Sequence, residues 1–172
     1  KSGAPTFRRA WAGLDLLRAH QVQVNILTAV HAANAERPLE VYRFLRDRAG
    51  AQFLQLRPIV EWEGGSREGG RVTEYSVTGR QLGEFLAAVL DEWVRRDVGR
   101  VYVQQFDAAL AAWLGEPPGL CTMSETCGEA LALEHNGDLY ACDHFVEPAH
   151  RLGNIFETPL VDMVRSEPQR HF

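Results

Sequence analysis

Cysteine is scarce in this sequence. Cys121, Cys127 and Cys142 are its only three, and all lie in "CTMSETCGEALALEHNGDLYACDHF", residues 121–145. So few thiols, so tightly clustered, argue against a disulfide framework. Long apolar runs are missing too, since none approaches the roughly 20 residues of a membrane span. Basic stripes are absent and the net charge is −5, which argues against nucleic acid as a main partner. No secretory signal, internal repeat or low-complexity tract is evident, and the expected setting is a reducing cytoplasm. An initiator methionine is lacking as well. The chain opens on Lys1, Ser2, Gly3, Ala4 and Pro5 and stops in mid-pattern at Gln169, Arg170, His171 and Phe172, so the expectation is a piece of a longer polypeptide. What remains is ordinary for a soluble globular protein: 172 residues, 45% hydrophobic and 24% charged, enough for one domain or for one and part of another.

Along the chain, Phe7, Ala10, Trp11, Leu14 and Leu17 share a helical face. "QVQVNILTAV" alternates at Val22, Val24 and Ile26 and predicts a strand. Pro38 fits a first helical position, with Glu40 in the first turn and Gly50 past the end; the helix between them is expected to bury Val41, Phe44 and Leu45. "AQFLQLRPIVE" reads as a second strand with Pro58 near its exposed end. Residues 62–79 are glycine-rich, charged and without period, a loop. Thr78 and Gln81 form a capping box for a helix presenting Leu82, Phe85, Leu86, Val89, Leu90 and Trp93 on one face. "RVYVQQF" predicts a short strand and "DAALAAWLG" a short helix with Asp107 as its N-cap. Trp11, Trp93 and Trp113 are expected in the core, and Arg43, Arg46 and Arg48 on a solvated helix face. Alternating helices and strands predict a parallel α/β sheet, with too few units to close a barrel. Such an open sheet edge is expected to pair with a second copy of the chain.

The cysteines pose a separate question. Asn136 and Gly137 are a strong signal for a type I′ turn. A two-residue loop there pairs His135 with Asp138, Leu133 with Tyr140 and Leu131 with Cys142, placing Cys142 at the base of a hairpin. Cys121 and Cys127 lie just upstream, across the turn-forming "TMSET", so three sulfurs are within reach of one point. Buried thiols that merely pack are one reading; metal or iron–sulfur ligation is the other. Three thiols are one ligand short of a closed zinc site or a cysteine-only cluster. The missing ligand would come from beyond Phe172, from Asp143 or His144, or from water. His144 is expected to be a surface or packing residue.

At this point the residues carry a resemblance. "CGEALALEHNGDLYACDHFVEPAHRLGNI" resembles the start of the SPASM-type auxiliary-cluster domain of anaerobic sulfatase-maturating enzymes, which are radical S-adenosylmethionine enzymes. "PTFRRAWAGLDLLRAHQVQVNILTAV", "PLEVYRFLRD", "FLQLRPIVE" and "DEWVRRDVGRVYVQQFDAALAAWLGEPPGLC" are similar to that family's later barrel segments and the connection that follows. The resemblance implies an α/β fold: later units of a partial (β/α)6 barrel over residues 1–100, a connecting strand and helix over 101–119, and the opening of a SPASM domain with its β-hairpin over 120–172. It implies that Cys121, Cys127 and Cys142 are three ligands of a first auxiliary [4Fe–4S] cluster and that Asp143 is a general base. Val60 matches a position that contacts S-adenosylmethionine. The C-x3-C-x2-C loop of the radical-generating cluster is absent from these residues, so the chain alone is expected to be inactive.

The implied reaction oxidises a cysteine or serine of a sulfatase to formylglycine, with S-adenosylmethionine and [4Fe–4S] clusters as cofactors. The implied partners are the sulfatase polypeptide and a reductant such as flavodoxin or ferredoxin. Asp143 otherwise reads as a hairpin-end aspartate bonding its own backbone. Two other functions stay open: a different SPASM-type maturase acting on peptides, and a non-catalytic module whose three cysteines bind zinc or nothing.

Overall fold

The computed structural model describes residues 5–65, 70–127 and 130–172. The chain divides into two compact units, Lys1–Asp107 and Ala108–Phe172. Among the described residues no helix is long and apolar enough to cross a membrane.

In the first unit, helix α1 (Phe7–Ala19) precedes strand β1 (Asn25–Val30) and a single capped turn, α2 (Ala32–Ala35). Helix α3 (Pro38–Arg43) starts on its proline and continues as a π-helical turn over Phe44–Arg48. Strand β2 (Phe53–Pro58), helix α4 (Gly79–Arg96) and strand β3 (Tyr102–Val103) follow. The Thr78 hydroxyl accepts from the Gln81 backbone N–H while the Gln81 side chain accepts from the Thr78 N–H, as the capping box predicts. All three strands run parallel in the order β1-β2-β3, with Asn25 opposite Phe53 and Phe53 opposite Tyr102.

Period-two alternation decides the faces. Val30, Leu54, Leu56 and Val103 point toward α3 and α4 and join Tyr42, Phe85, Val89 and Trp93 in one core. The odd-numbered partners Leu27, Phe53, Gln55 and Arg57 occupy the opposite face, where Leu27 is 62% exposed. Parallel sheets are ordinarily covered on both faces, so this bare face is what a site would use. Three core expectations, those for Trp11, Phe44 and Trp113, need correction, Trp11 because α1 has no buried residue. Tyr42, at 0% exposure, is the buried anchor of α3, whereas Phe44 is 39% exposed and stacks on Phe7 and Trp11. Trp113 is 90% exposed, at the last position of its helix.

Arg43 and Arg46 also depart from the expected solvated face. Arg43 grips both oxygens of Glu92, its Nη2 at 2.6 Å from Oε2. Arg46 Nη1 reaches Glu92 Oε1 at 3.0 Å and Asp97 Oδ2 at 2.8 Å, while its other nitrogens hold Asp47. The Tyr42 hydroxyl donates to Asp97 Oδ2 at 2.9 Å. Buried Glu92 survives as a carboxylate because these guanidiniums replace its water. Arg43, then Arg46, hold its pKa down at about 2, against burial, which pushes it up. The 62–79 segment is more ordered than a bare loop. Trp62 bridges Val72, and the Glu61 N–H donates to the Ser76 hydroxyl at 2.9 Å; residues 66–69 lie outside the described set.

Helix α5 (Gln104–Trp113) begins directly after β3 and carries the chain into the second unit. There, strands β4 (Ala132–Leu133), β5 (Asp138–Tyr140) and β6 (Arg151–Asn154) make an antiparallel sheet in the order β4-β5-β6. Two short helices, α6 (Leu160–Val164) and α7 (Glu167–His171), close the chain, and buried Met163 lies under Gly153.

Candidate functional site

The hairpin turn fixes where Cys142 falls. Its expected two-residue loop is replaced by a three-residue loop over 135–137. Ala132 pairs with Tyr140 and Leu133 with Leu139, one residue out of the expected register. The Glu134 N–H donates to the Asp138 carbonyl, and the Gly137 N–H returns to the Glu134 carbonyl, both at 2.9 Å. Only Gly137 of the turn has positive φ, +87°, whereas type I′ needs two such residues. The Asn136 side chain explains the choice: its Oδ1 accepts from the Asp138 N–H at 3.1 Å, an Asx-type bond that holds the turn open by one residue. Past the paired strands, the Asp143 N–H donates to the Ala130 carbonyl at 2.9 Å, so Cys142 lies at the base of the hairpin.

Cys142 is buried, and its sulfur accepts from the His144 backbone N–H at 3.3 Å. The Phe145 N–H donates to the Cys142 carbonyl at 3.2 Å, so residues 142–145 form a tight turn that aims an amide at the sulfur. An N–H directed at sulfur is a contact that iron–sulfur ligands commonly accept. As a thiol, Cys142 also donates to Asp143 Oδ1 across 3.6 Å. Asp143 itself is more than half exposed, and its Oδ1 lies 3.8 Å from His144 Nε2. Exposure leaves this carboxylate free to meet an incoming group.

Cys121 opens a 3-10 turn, Cys121–Met123, and is half-buried, while Cys127 is exposed in the irregular segment that follows. All three cysteines are free thiols. Among the described residues, no group of three or more His, Cys, Asp and Glu side chains comes together as a metal site would require. The hairpin holds Cys142 in place, whereas Cys127 lies outside any strand or helix of the described residues. The chemistry of the set still suits a thiophilic group, being three unpaired thiols with one already supplied with an N–H donor. Val60 lies just past the C-terminal end of β2 and is half-exposed.

The first unit holds polar groups that the sequence reading passed over. Arg57 Nη2 donates to Gln55 Oε1 at 3.2 Å and to Gln104 Oε1 at 3.3 Å, on the bare sheet face. Phe53 and Tyr102 stack beside them with ring centroids 5.2 Å apart. Asp107 is no N-cap, because α5 starts at Gln104 and leaves it within the first turn. Its Oδ2 is buried and, among the described residues, has no hydrogen-bond partner. Burial pushes this carboxyl's pKa up, opposed by the Val103 backbone N–H. The alternation in "FLQLRP" places Phe53, Gln55 and Arg57 on one face, whereas the sequence marked Asp107 only as a helix cap.

A parallel α/β unit followed by a cysteine-bearing antiparallel unit defines a class, and comparison with known proteins agrees. Residues 121–172 match the SPASM family, an iron–sulfur cluster-binding domain. The whole chain aligns with the serine-type anaerobic sulfatase-maturating enzyme of Bacteroides thetaiotaomicron, 42% identical over 183 residues and covering 44% of that protein. A cysteine-type anaerobic sulfatase-maturating enzyme of Clostridium novyi is 27% identical over 97% of this chain and 44% of its own length. The solved structure of polyhistidine-tagged anSMEcpe with bound AdoMet is 26% identical with a TM-score of 0.79, over 99% of this chain and 44% of that one. In sequence and fold, then, the chain is similar to the anaerobic sulfatase-maturating enzymes, and its residues 121–172 match the SPASM family. It spans less than half the length of the relatives it matches.

Proposed function

We propose that this chain is part of a radical S-adenosylmethionine enzyme that oxidises a serine of a sulfatase polypeptide to formylglycine. One observation carries the reading: the 42% identity runs across all of this chain and includes the segment that matches an iron–sulfur domain. Serine is preferred to cysteine as the target because the serine-type relative is 42% identical and the cysteine-type one 27%.

In this reading Cys121, Cys127 and Cys142 hold an auxiliary iron–sulfur cluster, completed by a ligand from outside these residues. Such a cluster supplies one-electron redox chemistry. Oxidising –CH2–OH to –CHO removes one hydrogen atom from Cβ, one proton from the hydroxyl and one further electron. Asp143 is the group that takes the hydroxyl proton. Its attachment to Cys142 and the bond from its N–H to the Ala130 carbonyl hold its backbone still, while its exposed side chain meets the peptide. A base placed beforehand costs no reorganisation when charge develops. Val60, at the sheet's C-terminal end, is a contact for S-adenosylmethionine.

The test uses the complete protein that contains these residues, purified without oxygen and supplied with S-adenosylmethionine and a reductant such as flavodoxin or ferredoxin. Sulfatase-derived peptides carrying serine or cysteine at the target position are then analysed by mass spectrometry. Formylglycine from the serine peptide is expected. A different modification, or zinc in place of iron in the purified protein, contradicts the proposal.

A further inference from the structure

A cavity of about 410 Å3 lies between the sheet and the first turn of α5, lined by Asn25, Phe53, Gln55, Tyr102, Gln104 and Asp107. Its chemistry is lopsided. Arg57 occupies the amide oxygens of Gln55 and Gln104, so those two amides have N–H donors left to offer. Among the described residues of the lining Asp107 is the only anion, and one of its oxygens is buried without a partner. A buried oxygen of this kind is rare in a settled structure and costs stability until a donor reaches it. The donors of Gln55 and Gln104 lie within the same lining, yet none of them satisfies Asp107. The stacked Phe53 and Tyr102 rings give the cavity an apolar wall against which a planar cation can lie.

From this geometry we infer that Asp107 is a specificity residue, the anionic contact for a guanidinium of the bound substrate polypeptide, with Gln55 and Gln104 donating to the carbonyls of the same segment. The inference rests on the peptide-modifying reading above. A guanidinium in the cavity supplies the donor that this carboxylate lacks, and the match of planar fork to carboxylate favours arginine over lysine. Val60 and Asp143 play no part in this contact.

The experiment measures binding apart from turnover. A fluorescent peptide of neutral residues around one serine serves as host, and a single arginine is placed in turn at each flanking position. Affinities are read by anisotropy with the complete wild-type protein, Asp107→Asn and Asp107→Glu, each first checked for a wild-type melting curve. Wild type is expected to bind one arginine position about tenfold more tightly than the neutral host. Asp107→Asn should erase that preference and Asp107→Glu should keep part of it. If no position is favoured by wild type, or the preference survives in Asp107→Asn, the inference is overturned. Should Asp107→Asn fail to fold, full preference in Asp107→Ser overturns it and loss of preference supports it. The two readings separate cleanly. Formylglycine formation without an Asp107-dependent preference rejects this inference alone, and an Asp107-dependent preference without formylglycine rejects the proposed reaction alone.

Discussion

Replacing Glu92 with glutamine tests how the first unit is held together. The substitution keeps size and hydrogen-bonding capacity but removes the charge shared by Arg43 and Arg46. A carboxylate drawn down from an ordinary 4.5 to about 2 stabilises the folded state at neutral pH by about 3 kcal/mol, at about 1.4 kcal/mol per tenfold change in proton affinity. Arg43 is half exposed, its side chain 51% accessible, and solvent screening brings the expected loss to about 2 kcal/mol. The sign follows from the direction. A depressed folded value means the stabilisation is complete above the unfolded value of 4.5 and fades as the pH falls toward about 2. Urea unfolding of wild type and Glu92→Gln, followed by tryptophan fluorescence, should therefore show a gap of about 2 kcal/mol near pH 7 that shrinks steadily below about pH 4.5. A gap below about 0.5 kcal/mol, or one that ignores pH, refutes the argument and reduces the network to surface pairing.

Two further outcomes bear on the second unit. Asp143→Asn in the complete protein is expected to abolish formylglycine formation while leaving iron content unchanged; normal turnover would remove the aspartate from the mechanism. Gly137→Ala places a methyl group 2.6 Å from Phe156 Cε2 and 2.8 Å from Asn154 Oδ1 at a φ of +87°. It should destabilise the hairpin by about 1–3 kcal/mol, read as faster amide exchange in β4 and β5. Unchanged exchange would mean that the turn can re-form in another geometry.

What the sequence made legible was local. Pro38 at a helix start, the Thr78–Gln81 box and the alternation of β2 each depend on residues within one turn of each other, and each is observed. The misread features depended on partners far away. Arg43 and Arg46 look solvated until α4 brings Glu92 and Asp97 to them, and Tyr42 looks ordinary until its hydroxyl finds Asp97. The hairpin register was misread for a subtler reason: the Asn136 side chain accepts from the Asp138 N–H, and that local bond accompanies the longer, three-residue loop. At the site, the types and spacing of Cys121, Cys127, Cys142 and Asp143 pointed to a chemistry. Type and spacing alone do not set the distances between the sulfurs, because a metal site and the fold around it form together.

The most direct test is iron and sulfide content per chain in the complete protein after anaerobic reconstitution, compared with Cys121→Ser, Cys127→Ser and Cys142→Ser. Each variant is expected to lose about four irons relative to wild type, with Cys142→Ser the least able to retain any. Wild-type iron in all three would contradict the assignment of these thiols to a cluster.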